Sequence, residues 1–82
     1  MYDVEFTSGA ERQLKKLERA LQERIVAALE RIRVRPQDYL ERLAGETSYK
    51  LRVGDYRIII DLDEEKLVIL IIKVGHRGSI YK

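Results

Sequence analysis

Residues Tyr49–Tyr81 read YKLRVGDYRIIIDLDEEKLVILIIKVGHRGSIY, and this stretch decides the fold. Three apolar runs are separated by two turn signals, and a short basic segment ends in tyrosine. Gly54-Asp55 reads as a two-residue hairpin loop, which sets the register: Val53 faces Tyr56 and Arg52 faces Arg57. Two like charges directly opposed on a sheet repel. A local conflict of this kind marks a candidate site, because a sequence shaped by stability alone avoids it.

The period of two assigns the faces. Leu51, Val53, Tyr56, Ile58 and Ile60 share one side, the side expected to meet helices. Lys50, Arg52 and Arg57 share the other, with Ile59 opposite Lys50. Asp63-Glu64-Glu65-Lys66 forms the second turn. It lacks the glycine and ligand spacing of a calcium loop and reads as a solvated turn. Leu67–Val74 is nearly continuous in apolar character, which predicts a strand covered on both faces.

Upstream, Tyr2, Val4 and Phe6 alternate with Asp3 and Glu5, the pattern of a short strand. Thr7 or Ser8 offers an N-cap, with Glu11 three residues after Ser8 to complete a capping box. Leu14, Leu17, Leu21, Ile25, Ala28 and Ile32 then recur at spacings of three and four, and charged residues fill the other faces. Taken as one helix, residues 10–34 would run about 38 Å, whereas a domain of this size has a radius of gyration near 12 Å. A break is therefore expected between Leu17 and Leu21, giving a helical hairpin. Pro36 ends the second helix, with Arg35 pushed toward an extended conformation. Gln37–Leu43 is expected to contain a short helical turn, and 44–48 a loop. The fold class is α+β: an N-terminal strand, a helical hairpin, then a three-stranded antiparallel meander, with the helices packed on one sheet face.

The chain has 82 residues, read as a single domain over 1–82, with 45% hydrophobic and 37% charged residues. The apolar residues are too periodic for disorder. No cysteine is present, which excludes disulfides and cysteine-based zinc sites. No cofactor or metal site is indicated. No apolar run is long enough to span a membrane, and the N-terminal residues lack a signal-peptide pattern; the expected location is cytoplasmic. The net charge is only +2, but its distribution is uneven. No acid follows Glu65, while Lys66, Lys73, His76, Arg77 and Lys82 do. A basic sheet face followed by a basic tail points to a polyanionic partner, the bland alternative being a solvated basic surface.

The succession YKLRVGDYRIIID, an apolar strand, then VGHRGSIYK resembles the RelE/ParE toxin superfamily of toxin–antitoxin systems, and is most similar to its RelE branch. The resemblance covers the whole chain in order. It implies a ribosome-dependent endoribonuclease that enters the ribosomal A site, cuts the bound mRNA without a metal and so inhibits translation. It also implies a RelB-type antitoxin partner that wraps and blocks the toxin in a hetero-oligomer. By that resemblance Arg57 contacts the scissile phosphate, Lys50 is a catalytic-strand lysine and Arg52 the basic position two residues on. Arg77 is a second catalytic arginine, and Tyr81 the C-terminal tyrosine that helps to activate the nucleophile. Arg52, Lys73, His76 and Lys82 are the candidate RNA-binding residues.

The chemistry suits these residue types. Without a metal, the 2′-hydroxyl attacks the adjacent phosphorus, so a group must take its proton, another must stabilise the crowded phosphate, and a third must protonate the leaving 5′-oxygen. Guanidinium forks match phosphate oxygens and keep their charge. An ordinary tyrosine is a poor base at neutral pH, but clustered cations favour its phenolate. His76, with the ordinary imidazole range, is the other candidate for proton transfer. No acid falls on the basic face in this reading. The same residues leave two alternatives: a ParE-like inhibitor of DNA gyrase without nuclease activity, and a non-catalytic RNA-binding domain.

Overall fold

The computed structural model describes residues 1–43 and 47–79. In chain order they form β1 (Asp3–Phe6), α1 (Ser8–Lys15), α2 (Arg19–Arg31), a 3-10 turn (Pro36–Asp38), β2 (Glu41–Arg42), β3 (Tyr49–Val53), β4 (Tyr56–Asp63) and β5 (Val68–His76). The α+β class, the helical hairpin and the β3–β4–β5 meander agree with the sequence reading. The meander is the centre of a five-stranded sheet ordered β1-β5-β4-β3-β2, with β1 added parallel to β5.

Thr7 caps α1: its Oγ1 accepts from Ala10 N at 3.1 Å. The cap is thus one residue earlier than a Ser8–Glu11 box requires, and Glu11 instead pairs with Lys15 at 2.9 Å. The helix break is real but earlier than expected. It falls at 16–18, and α2 is already under way at Arg19. No glycine or proline causes it. The molecule's longest extent is 32 Å, shorter than the roughly 38 Å of an unbroken helix, so packing both helices on one sheet forces the turn. Gln22 holds the corner, its Nε2 donating to the Leu17 carbonyl at 2.7 Å and the Lys15 carbonyl at 3.4 Å. These are carbonyls that a helix C-terminus leaves unpaired.

The core lies between this hairpin and one sheet face. Ile58, Ile60, Ile69 and Ile71 from the sheet are fully buried beneath Ala10, Ile25, Leu29 and Ile32. Two expectations need correction. The short helical turn expected within Gln37–Leu43 is present but starts one residue earlier and ends at Asp38, and the chain then pairs with β3 as the unexpected β2. A two-residue strand is too short to show alternation, so its sequence carried no signal. Strand β5 is not covered on both faces. Ile69, Ile71 and Val74 are buried, while Val68, Leu70 and Ile72 are half-buried. Both helices lie on one side, and the outer apolar residues are screened only by their neighbours. A β-bulge between the Ile59 and Ile60 pairings places the extra residue, Ile72, beside Lys73. It interrupts the inside–outside alternation at Ile72, while Val68 and Leu70 are apolar residues of the outer face, and together they make the run look doubly covered. Side chains from the first third of the chain serve the bulged segment: Thr7 Oγ1 donates to the Ile72 carbonyl at 3.3 Å, and Gln13 Oε1 accepts from Val74 N at 2.8 Å.

Candidate functional site: a cationic sheet face

The predicted register of the β3–β4 hairpin is observed, with Val53 opposite Tyr56 and Arg52 opposite Arg57. Gly54 has φ of +59°, the left-handed region that a tight hairpin loop needs and that a side chain disfavours. Two rows of residues then cross the outer face of the sheet. The first is Glu41, Lys50, Ile59 and Lys73; the second is Arg52, Arg57 and Gly75. Directly opposed residues have Cβ atoms about 5 Å apart, so Lys50, Arg52, Arg57 and Lys73 converge on one patch.

Within it the two opposed arginines behave differently. Arg52 is exposed, whereas Arg57 is only 8% exposed and is the one buried charged residue among those described. Its guanidinium Nη1 donates to the carbonyls of Gly54 at 3.2 Å and Tyr56 at 3.1 Å. Folding back onto the turn gives the buried cation two acceptors, and burial without them is costly. Gly75, opposite Arg57, contributes no side chain, so the row is open on that side. Arg77 is exposed, but its backbone N–H donates to the Asp55 carbonyl at 2.8 Å. The tail is thus tied over the same turn that fixes Arg57. Lys50 is half-buried with its Nζ 3.6 Å from Glu41 Oε2. Lys73 is exposed beside the bulge.

Two assignments change. His76 is the last residue of β5, opposite Tyr56, and so lies on the helix side of the sheet, away from the cationic patch. It stands edge-on to the Tyr56 ring at 5.5 Å and 88°, and its Nδ1 accepts from Gly78 N at 3.1 Å. In the neutral ring this puts the proton on Nε2. An acid does border the basic face: Glu41, which β2 brings beside Lys50. Sequence reasoning missed it along with β2 itself. Tyr49 lies on the helix side, where Arg42 donates to its hydroxyl at 2.9 Å and sits 5.2 Å over its ring. Tyr81 and Lys82 lie outside the described residues.

The charge on this face is polarised. At the end away from the hairpin loop, Asp61 and Asp63 on β4 lie in rows with Glu5 and Asp3 on β1. Asp63 is engaged in its turn, where Oδ1 accepts from the backbone N–H of Glu65 and Lys66. Among the described residues, no group of three or more histidine, aspartate or glutamate side chains is placed to hold a metal ion. Nor is any helix among them long and apolar enough to cross a membrane.

A helical hairpin on one face of a five-stranded sheet is the fold of small toxins of type II toxin–antitoxin systems. The chain belongs to the RelE/ParE superfamily: residues 4–81 match the family described as ParE toxin of type II toxin–antitoxin system, parDE. It is 37% identical to Toxin RelG of Mycobacterium tuberculosis, over 99% of this chain and 97% of that protein. The toxin–antitoxin complex RelBE2 from the same organism contains a chain that superposes with a TM-score of 0.84 at 30% identity, covering 93% of this chain and 98% of that one. The archaeal RelE–RelB complex of Pyrococcus horikoshii gives 0.80 at 26% identity, with 95% and 97% covered. The protein is a type II toxin of this superfamily.

Proposed function

We propose that this toxin is a ribosome-dependent endoribonuclease that cuts mRNA in the A site by 2′-hydroxyl attack and so inhibits translation. The observation that carries the reading is the convergence of Lys50, Arg52, Arg57 and Lys73 on one sheet face, with Arg77 tied over the adjoining turn. In this mechanism the guanidinium of Arg57 keeps Nη1 on the Gly54 and Tyr56 carbonyls and offers its remaining N–H donors to the scissile phosphate, with Arg77 closing from the tail. Charge set in place before the reaction is commonly the largest catalytic contribution. Lys50 steadies the same phosphate and gives the leaving 5′-oxygen the proton it needs as the P–O bond breaks. Arg52, Lys73 and Lys82 hold the strand. Of the two candidates for taking the 2′-hydroxyl proton, His76 is turned to the helix side, which favours Tyr81. Such a site contains little acid–base machinery of its own and depends on the ribosome to orient the substrate. In this reading the route needs no metal.

The inhibitory partner is a RelB-type antitoxin in a hetero-oligomer, by likeness to the solved RelE–RelB complexes, and the compartment in this reading is the cytoplasm. A second reading, inhibition of DNA gyrase, is favoured by the ParE description of the matching family. One set of assays separates them. Purified toxin freed of its antitoxin is incubated with ribosome–mRNA complexes, and separately with gyrase and relaxed plasmid. Cleavage of the mRNA, reduced about 10²- to 10³-fold in Arg57→Ala and in Arg77→Ala, supports the nuclease. Full cleavage by both variants removes these residues from the site. Inhibited supercoiling with intact mRNA assigns the chain to the gyrase branch.

A further inference from the structure

Beside the cationic face runs a groove that sequence reasoning did not anticipate. Strand β2 covers only Tyr49 and Lys50 of β3, so the edge from Leu51 to Val53 has no strand partner among the described residues. Helix α2 runs along that edge. Two depressions of about 300 and 320 Å³ lie end to end between them, sharing Ala28, Arg31 and Arg52. The small side chains of Ala27 and Ala28 leave the space. Arg24 and Arg31 stand on either side of them, seven residues apart and so about 10 Å along the same helical stripe. The guanidinium of Arg24 lies over the hairpin loop, 3.3 Å from where a Cβ on Gly54 would stand. It therefore adjoins the turn that anchors Arg57 and Arg77.

Three features give the groove its character. Arg24, Arg31 and Arg52 form no ion pair with any described residue. The one carboxylate lining these two depressions, Glu41, is beside Lys50. Tyr39 lines the outer end with its side chain half in solvent, 51% exposed. In the opposite direction a third depression, which Arg24 also lines, is bordered by Glu18 and Asp55, so the positive track ends at Arg24.

We propose that this groove is a second nucleic-acid track, which takes the single-stranded RNA adjoining the nucleotide held on the sheet face. Arg24 and Arg31 neutralise phosphates along α2, and Tyr39 stacks on a base at the far end. The inference rests on the reading of the sheet face as an RNA site. Lys50 and Arg52 belong to both surfaces, so a strand leaving the face at β3 enters the groove directly. Cations of a single sign tracking a backbone, with an exposed aromatic ring among them, are the elements of a single-strand channel. An acidic peptide added as an extra strand is the competing occupant. It would gain its affinity from backbone pairing, and the open edge offers three residues.

The test measures binding by fluorescence anisotropy, using the full chain and cleavage-resistant 2′-deoxy oligomers of about three and about nine nucleotides. Arg24, Arg31 and Tyr39 are all exposed, so their variants keep the fold, which circular dichroism checks. Arg24→Ser and Arg31→Ser are each expected to weaken the nine-mer several-fold and to lower the slope of log affinity against log salt by about 0.7, the loss of one phosphate contact. Tyr39→Leu is expected to weaken it about tenfold. The trimer, filling only the sheet face, is expected to bind all three variants as it binds the parent. Nine-mer binding at parental affinity and slope in both arginine variants overturns the track, as does a parallel fall for trimer and nine-mer. Variants that lose affinity only for a polyglutamate peptide assign the groove to a protein partner instead. If the parent binds the trimer and gains nothing from the longer oligomer, the groove alone is wrong; if it binds neither, the sheet-face reading fails with it.

Discussion

Replacing Arg52 by glutamine separates stability from function at a single position. Arg57 cannot move away from its cross-strand neighbour without leaving the Gly54 and Tyr56 carbonyls that satisfy it in its buried position. The repulsion is therefore relieved only by removing the exposed charge of Arg52. Opposed like charges in an antiparallel pair cost about 0.2–1 kcal/mol. For a domain of this size, where 1 kcal/mol moves the midpoint by roughly 4–8 °C, the Arg52→Gln melting temperature should rise by about 1–8 °C at low salt. Screening supplies the control. The Debye length falls from about 10 Å at 0.1 M to about 3 Å at 1 M, so the gain should largely disappear in 1 M sodium chloride. RNA binding should move the other way, with a log–log salt slope shallower by about 0.7. Thermal melts of both proteins at the two salt concentrations, with anisotropy on the same samples, provide the measurement. A variant less stable than the parent at low salt, or a gain that persists at 1 M, would refute the view that charge opposition is maintained here at the expense of stability.

Gly54→Ala places a side chain at φ of +59° and should lose about 1–2 kcal/mol in urea unfolding; Gly54→Asn, which tolerates that conformation, should lose less. Ile60→Ala empties a fully buried position under the helices and should cost about 2–5 kcal/mol by the same assay. The Glu11 carboxyl titrates below its ordinary value of 4.5, first through its hydrogen bond to Lys15 and then through that residue's charge. A carboxylate lowered on folding stabilises above its unfolded value and loses that contribution as pH falls through the folded one. Glu11→Gln should therefore flatten the pH dependence of stability below pH 4.5 and leave it unchanged at neutral pH, as read by melts across the acid range.

The parts of this fold that were legible in the sequence are those governed by short-range rules. The Gly54-Asp55 loop admits one register, and that register correctly opposed Arg52 to Arg57 and placed Lys50 across from Ile59. Helical periodicity identified α1 and α2, but the corner at 16–18 depends on how both helices sit on the sheet and on Gln22 reaching back to α1. Strand β2 escaped notice because Glu41-Arg42 is too short to show alternation and its partner strand follows later in the chain. With it went Glu41, the acid beside Lys50. The basic tail was expected to start before His76; β5 extends through it, and strand alternation turns its ring toward Tyr56. Arg24 and Arg31 looked like ordinary solvated helix residues, since nothing local shows which face of α2 borders an open strand edge.

The parallel pairing of β1 with β5 governs when the molecule becomes complete. Thr7 and Gln13 bond to backbone groups 65 and 61 residues further along the chain. The earliest strand to leave the ribosome thus has no neighbour until β5 has emerged. Contacts this distant in sequence form late and slowly, so the helical hairpin waits during synthesis above a sheet that does not yet exist. The tail that brings Arg77 over the turn follows β5 directly. Lys73 and Arg77 therefore join Lys50, Arg52 and Arg57 of the local β3–β4 hairpin only once β5 is in place, so the cationic face is completed last.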